Sequence, residues 1–250
     1  MFTIKKSLGQ HFLHDENICR KIIAELQQHP FHQLLEVGPG AGALTKYLLQ
    51  IENIDFKAVE IDKEKIQFLL NKFPSISNKL MENDFLEMEK PFDGKFTVVG
   101  NFPYNISSQI VFKIIDWKKA VECMIGMFQK EVALRIAAKH GNKTYGVISV
   151  LVQAFFNVEY LFEVSEKSFM PPPQVKSAVI RLRPRIEELK FEEEKKFFLL
   201  VKTAFNQRRK TLRNAVKSLF DEIILQDEIF NKRAEQLSVE DFAALTFKMK

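Results

Sequence analysis

Cysteine is nearly absent from the chain: Cys19 and Cys123 are the only two in 250 residues. Two cysteines far apart in sequence cannot build a disulfide framework or a zinc ribbon. They read as small apolar residues of a reducing compartment. Histidine is scarce as well, with five in all. His11 and His14, and His29 and His32, are spaced i,i+3, but a metal site would need further Cys, His or carboxylate ligands close by and nothing suggests them, so no metal site is expected. The segment Met1 to Gln10 has no signal-peptide hydrophobic stretch. No apolar run approaches the length of a membrane span, since Val147 to Phe156 is short and carries Gln153. A cytoplasmic protein is the expectation. Repeats and low-complexity tracts are also missing. Trp and Tyr are few, one and four, against 24 Phe. Most of these Phe read as core filling, because stacking roles need only one or two.

What is present is an ordinary globular composition, 46% hydrophobic and 28% charged, with enough apolar material for a sizeable core. The length suits one large domain, or a catalytic domain with a small appendage. The net charge of +5 leans toward a polyanionic partner, nucleic acid or an anionic membrane face, although its location matters more than its sum.

Strand-like runs alternate with amphipathic helical patterns. Leu34 to Val37, Phe56 to Ile61, Phe96 to Gly100 and Cys123 to Phe128 are short apolar runs of the kind buried parallel strands show. Lys63 to Lys72 and Ser107 to Ile115 carry helical spacing. The alternation predicts an α/β fold with a parallel sheet covered by helices on both faces. After Lys143 the pattern changes. Val147 to Phe156, Val158 to Val164 and Ala178 to Leu182 read as strands or core segments that finish the sheet with a non-parallel edge. Met170 to Gln174 reads as a rigid extended loop, because proline fixes φ and restricts its predecessor. From Glu192 onward only helical spacing remains, with Leu212, Ala215, Val216, Leu219 and Phe220 as an apolar stripe. The expected division is residues 1–184 for the α/β domain and 185–250 for a small all-helical one.

Two sites carry chemistry. In Glu36-Val37-Gly38-Pro39-Gly40-Ala41-Gly42 a strand runs into a glycine turn that opens a helix. Glycines let the backbone approach a ligand closely and keep the turn tight. Glu60 ends the next strand about 20 residues on, where a ribose-binding carboxylate belongs. The pair indicates a ribose-bearing cofactor, with NAD and S-adenosylmethionine both open at this point, since Gly38, Gly40 and Ala43 also fit the dinucleotide pattern. A plain strand-to-helix turn would not need the acid at that distance. The second site is Asn101-Phe102-Pro103-Tyr104, directly after the strand ending at Gly100. It sets a side-chain amide, a backbone carbonyl and an aromatic ring at the sheet's C-terminal edge. The N6 lone pair of adenine is delocalised into the ring and is a poor nucleophile. Acceptors on its hydrogens, here Asn101 Oδ1 and the Phe102 carbonyl, favour the pyramidal form in which the pair is free. Tyr104 can stack on a base taken out of its stack. This chemistry selects S-adenosylmethionine.

With these residues in view, the chain resembles the bacterial small-subunit (16S) ribosomal RNA adenine N6,N6-dimethyltransferases of the KsgA/RsmA type. The match runs nearly end to end, through Gly9 to Leu13, Glu36 to Thr45, Val59 to Asp62, Asn83-Asp84, Gly100 to Ser107, Gln129 to Val132, Tyr145-Gly146, Pro171 to Val179 and Phe205 to Lys210. The resemblance implies a Rossmann-like class I S-adenosylmethionine-dependent methyltransferase domain with a mostly parallel seven-stranded sheet. It implies cofactor contacts at His11, Leu13, Gly38, Gly40, Glu60, Asp84 and Asn101: Gly38 to the methionine moiety, Glu60 to the ribose hydroxyls, Asp84 to the cofactor's adenine amino group. The implied reaction forms N6,N6-dimethyladenosine at two adjacent adenines in the loop of the 3′-terminal hairpin of 16S rRNA, in the 30S subunit or its precursor, by a monomer. His11 stands where Asn is commoner in the family, and Phe102 where Leu is.

The remaining feature is charge. Arg208, Arg209, Lys210, Arg213 and Lys217 lie in a stretch with no acid from Asn206 to Ser218, on an expected helix. A solvated face is the ordinary explanation of a charge run, but this one is more one-sided than solubility needs. It reads as a phosphate-binding surface that positions RNA without reading its sequence, with Lys5 and Lys6 as an extension. Two other functions share these features: a 23S rRNA adenine methyltransferase of the macrolide-resistance kind, and an assembly factor that binds pre-30S particles without needing catalysis.

Overall fold

The computed structural model describes residues 11–250; Gly9, Gln10, Lys5 and Lys6 lie outside the described residues. The chain opens with a short strand, β1 (Phe12–Leu13), and helix α1 (Glu16–Leu26). Asp15 starts α1 by accepting from Asn17 N and Ile18 N, which satisfies amides that have no partner within the helix. Cys19, Ile22, Ile23 and Leu26 then face inward at i, i+3, i+4 and i+7. Each such burial contributes roughly 1.5–3 kcal/mol.

Then come β2 (Gln33–Val37), α2 (Thr45–Leu48), β3 (Asp55–Glu60), α3 (Lys63–Lys72), β4 (Leu80–Glu82), β5 (Phe96–Asn101), α4 (Ser107–Asp116), β6 (Val121–Gln129) and α5 (Lys130–Ala137). Asp62 caps α3 through Glu64 N at 3.0 Å. The chain continues with α6 (Val147–Gln153), β7 (Phe156–Val164), β8 (Phe169–Met170), β9 (Ser177–Pro184), α7 (Glu194–Asn206), α8 (Leu212–Ala215) and α9 (Val239–Thr246). Seven strands form one sheet in the order β4-β3-β2-β5-β6-β9-β7, and β1 pairs with β8 in a separate two-stranded ribbon. β2 lies parallel to β3 and β5, β3 to β4, and β5 to β6. β9 is antiparallel to β6, which is the non-parallel edge the sequence suggested. The sheet reverses its winding between β2 and β5, so a crevice opens at the C-terminal ends of these neighbours, where open α/β sheets bind ligands. The phenylalanines fill cores: Phe96, Phe102, Phe128, Phe169, Phe197, Phe220, Phe230 and Phe242 are all but inaccessible.

Backbone contacts divide the chain into two compact units. The first runs to Ala133 and takes in Glu159–Pro184; the second comprises Leu134–Val158 and Arg185–Lys250. Pro184 therefore ends the first unit, but residues 134–158 fold with the C-terminal helices, not with the α/β part to which the sequence pattern assigned them. The segment from Val147 is also a helix, not a strand, over Val147–Gln153. Gly146 N donates to Ser149 Oγ at 3.0 Å, and Ser149 Oγ donates to Arg135 O at 2.5 Å. Gln153 Nε2 donates to both Ile136 O and Ala138 O. These tertiary bonds outweigh the β-branched composition. Among the described residues no helix is long and apolar enough to cross a membrane.

Candidate active site

The glycine turn follows β2. Gly38 and Gly40 have φ of +67° and +57°, a region that costs a side-chain-bearing residue dearly. The turn is pinned from within. Gly38 N donates to Val59 O at 2.9 Å and Gly42 N to Pro39 O at 2.8 Å. Gly40 N donates to Glu60 Oε2 at 3.3 Å. The other carboxylate oxygen, Glu60 Oε1, accepts from Ile61 N and Asp62 N, both at 3.1 Å, with Lys65 Nζ 3.7 Å away. Glu60 thus crosslinks the end of β3 to the glycine turn while remaining on the wall of the crevice. Asn83 N donates to Glu60 O at 3.2 Å, which brings the Asn83-Asp84 pair beside the same strand end. Asp84 Oδ1 accepts from Leu86 N at 2.8 Å.

The second motif leaves β5. Asn101 Nδ2 donates to His11 O at 3.4 Å, leaving the amide oxygen as the acceptor end. Phe102 N donates to Met127 O at 3.2 Å. Tyr104 Oη shares a hydrogen bond with Ser177 Oγ at 2.5 Å. Its ring lies 5.6 Å from the His11 ring, the planes 30° apart, and His11 Nδ1 is 2.8 Å from Pro171 O. Burial raises the Tyr104 phenol above its ordinary range, so the hydroxyl is a fixed anchor for the ring and no candidate for a base.

These elements form an open-mouthed cleft lined by both motifs and the β1 segment. Of the residues expected to bind cofactor, His11, Leu13, Gly38, Gly40, Glu60 and Asn101 line it, together with Phe102, Pro103 and Tyr104. Asp84 is not among the lining residues. Two lining residues, Glu36 and Lys65, received no role from the sequence, and neither did Ser177. Glu36 was readable as an acid inside an apolar run, which is the one signal that could have found it.

Glu36 is 1% exposed and accepts from Thr45 Oγ at 2.8 Å. Burial pushes its carboxyl up to about 8, Glu60 adds to the rise, and the Thr45 bond opposes it. The unfolded chain releases this proton near 4.5, so between those limits the folded state holds more protons and stability falls as pH rises. The Glu36 contribution is complete at pH values below the unfolded value and is lost as pH climbs through about 8. Glu36→Gln keeps an acceptor for Thr45 without a titrating proton. Thermal melts from about pH 5 to pH 8 should therefore decline less steeply in Glu36→Gln than in the parent. Parallel profiles would mean that Glu36 is ionised in the fold.

The basic run lies in the second unit, and the expected helix there is broken. α7 stops at Asn206, and α8 covers only Leu212–Ala215. Leu212 N donates to Lys232 O at 2.7 Å, which takes the place of a helical partner. Arg208 Nη2 donates to Lys143 O and to Tyr145 O, and Arg213 Nε donates to Leu225 O at 2.9 Å. Arg209, Lys210, Arg213 and Lys217 are exposed. The apolar positions still point inward: Leu212, Ala215, Val216 and Phe220 are buried.

Comparison with known proteins agrees with this geometry. The family model described as ribosomal RNA adenine dimethylase matches residues 1–248. The chain is similar to the ribosomal RNA small subunit methyltransferase A of Cytophaga hutchinsonii, 50% identical over 246 residues that cover 97% of this chain and 95% of that protein. The protein of the same name from Phocaeicola vulgatus is 53% identical over 248 residues, covering 97% and 88%. Among solved structures, a dimethyladenosine transferase from Plasmodium falciparum superposes with a TM-score of 0.79 at 26% identity, over 93% of this chain and 94% of that one. The 23S rRNA methyltransferase ErmE gives 0.71 at 25% identity, over 93% and 99%.

Proposed function

The chain belongs to the ribosomal RNA adenine dimethylase family, and from that premise we propose how its residues do the work. It is a methyltransferase that acts on adenines of small-subunit ribosomal RNA. We read the cofactor as S-adenosylmethionine, and one observation carries this choice over a dinucleotide. The amides of Gly38, Gly40 and Gly42 all donate to acceptors within the protein. They are not held out for a pyrophosphate, as a dinucleotide turn requires. The wall beside them carries the Glu60 carboxylate, while burial holds Glu36 toward its neutral form. Such a wall suits a cationic sulfonium and ammonium better than a dianion.

S-adenosylmethionine supplies an electrophilic methyl group on a sulfonium. The protein's share is positioning and fixed dipoles. Glu60 would take a ribose hydroxyl on the Oε2 lone pair that Gly40 N leaves open, while the turn would hold the methionine end at Gly38. Asp84 sits at the neighbouring strand end to take the cofactor's adenine amino group. The target adenine is drawn out of its stack onto Tyr104. Asn101 Oδ1 and Phe102 O accept from the N6 hydrogens and free the lone pair. With the cofactor bound, these acceptors would present the freed N6 lone pair to its methyl group, and the N6 proton released on transfer would pass to water, with no protein base required. The second methylation repeats the sequence.

The substrate is proposed to be two adjacent adenines in the loop of the 3′-terminal hairpin of 16S rRNA within the 30S particle, with residues 185–250 positioning the RNA. The test is labelled methyl transfer to 30S particles lacking the modification, followed by mapping of the labelled nucleotides. Label at that adenine pair supports the reading; label in 23S rRNA, or none, overturns it.

The basic run divides by role. Arg209 and Lys210 are free to meet phosphates, whereas Arg208 holds the carbonyls of Lys143 and Tyr145. Arg209→Ala combined with Lys210→Ala should weaken 30S binding and flatten its salt dependence, by about 0.9 in slope for every phosphate left without its cation. Arg208→Ala should in addition lower the melting temperature. An unaltered salt slope in the double variant returns the run to a solvated surface.

A further inference from the structure

The strands that carry the reacting motif contain the same three-residue pattern twice. Gly100-Asn101-Phe102 leaves β5 and Gly126-Met127-Phe128 lies on β6. The two strands are parallel, with Gly100 beside Gly126 and Asn101 beside Met127. Residues in register on parallel strands, and residues two apart on one strand, share a face of the sheet. The two glycines therefore leave a bare patch on one face, with a phenylalanine just beyond each. The Phe102 ring lies back over this patch. A Cβ on Gly100 would stand 2.6 Å from Phe102 Cε1 and 2.7 Å from Val37 O, and a Cβ on Gly126 would stand 2.9 Å from Phe102 Cδ2 and 2.7 Å from Phe128 Cε2. Phe128 closes the slot from the side, with ring centroids 5.1 Å apart and planes 63° apart. Phe102 is 1% exposed and Phe128 wholly buried.

The ring's position decides where its own carbonyl points. Phe102 is tied to β6 by its amide, which donates to Met127 O, and by its ring in the slot. Pro103 follows and restricts the backbone of Phe102. The carbonyl between these constraints is the acceptor assigned to N6. We propose that Gly126, which is outside the cleft lining, is a positioning residue for methyl transfer: its missing side chain seats the Phe102 ring and so sets the Phe102 carbonyl. The inference rests on the methyltransferase reading above. Gly100 plays a different part, because its Cβ would meet the backbone oxygen of Val37, which no side-chain change can relieve. At Gly126 the nearest atoms belong to the rings of Phe102 and Phe128, so the fit there is reversible by trimming a ring.

That reversibility gives the test. Gly126→Ala should lower single-turnover methylation about tenfold to hundredfold, as expected for a displacement near 1 Å at a reacting group. Cofactor affinity by calorimetry should fall far less than the rate, because Gly126 itself is not among the residues that line the cleft. Phe102→Leu in the Gly126→Ala background should recover most of the lost rate, since the smaller side chain also gives the Phe128 ring room. Phe102→Leu alone leaves the slot underfilled and should slow the reaction several-fold, so the two effects are not additive. A general loss of stability would not produce a double variant faster than either single one, and assays run well below the melting temperature separate the two. If Gly126→Ala does not fold, regained folding and activity in the double variant carry the same conclusion. Parental rates in Gly126→Ala, or a double variant no better than Gly126→Ala, overturn the proposal. A parent protein that methylates no adenine at all instead overturns the functional reading on which it rests.

Discussion

Asn101→Ala is expected to lower methyl transfer by about two to three orders of magnitude, the size of effect seen when one fixed polar group is removed from a developing charge. In the folded chain the amide nitrogen is committed to His11 O at 3.4 Å, so the oxygen is the atom available to N6. Alanine removes the acceptor and leaves the amino group planar and unreactive. Asn101→Asp keeps an oxygen but replaces the donor that faces His11 O, setting two acceptors against each other. It should recover only part of the activity. Neither variant should lose affinity for 30S particles, because the assigned phosphate contacts come from Arg209, Lys210, Arg213 and Lys217. Single-turnover methylation at saturating cofactor, with a parallel binding assay, measures both quantities. Parental rates in Asn101→Ala would remove N6 activation from the mechanism, whatever the family.

The parts of the fold that were legible in the sequence are those in which one local rule acts alone. β2, β3, β5 and β6 are mostly buried and read as short, largely apolar runs. α3 was readable from its amphipathic spacing. The glycine turn, Glu60 and the Asn101 to Tyr104 motif were readable because each needs particular residue types at a fixed distance. The rest depended on partners distant in sequence. Ser149, Val150, Leu151 and Val152 are all buried, so α6 has no polar face to betray its period, and its β-branched residues point to a strand. The basic run keeps a helical stripe, but Lys232 O and the carbonyls of Lys143 and Tyr145 draw it out of a helix. A shifted carboxyl such as Glu36 is a property of burial, which composition does not express. Gly126 shows the same limit at the site. Nothing local distinguishes it from any strand glycine until the register sets it beside Gly100 and under the Phe102 ring.

Glu60→Ala is expected to weaken S-adenosylmethionine binding by about one to two orders of magnitude, since charge-assisted hydrogen bonds contribute roughly 1.5–3 kcal/mol. The geometry adds a second reason for a large effect. Glu60 Oε1 already accepts two backbone amides, and Oε2 accepts Gly40 N. The carboxylate therefore shapes the turn it shares the cleft with before any ligand arrives. Removing it leaves three amides to find water and lets a turn held at positive φ relax, so part of the lost affinity is lost preorganisation. Two substitutions separate the parts. Glu60→Gln keeps the length and one acceptor oxygen but turns an amide nitrogen toward backbone donors, so it should disturb the turn and bind weakly. Glu60→Asp keeps the charge but is one methylene shorter, so it cannot span from β3 to Gly40 and the ribose together. Both should fall between the parent and Glu60→Ala in cofactor affinity. Hydrogen exchange at Gly40, Ile61 and Asp62 should quicken in all three. Calorimetry on folded variants gives the affinities. Parental affinity in Glu60→Ala would remove the carboxylate from the ribose. Slow exchange at Gly40 alongside weakened binding would instead leave Glu60 as a ligand group alone, with the turn held by Val59 O and Pro39 O.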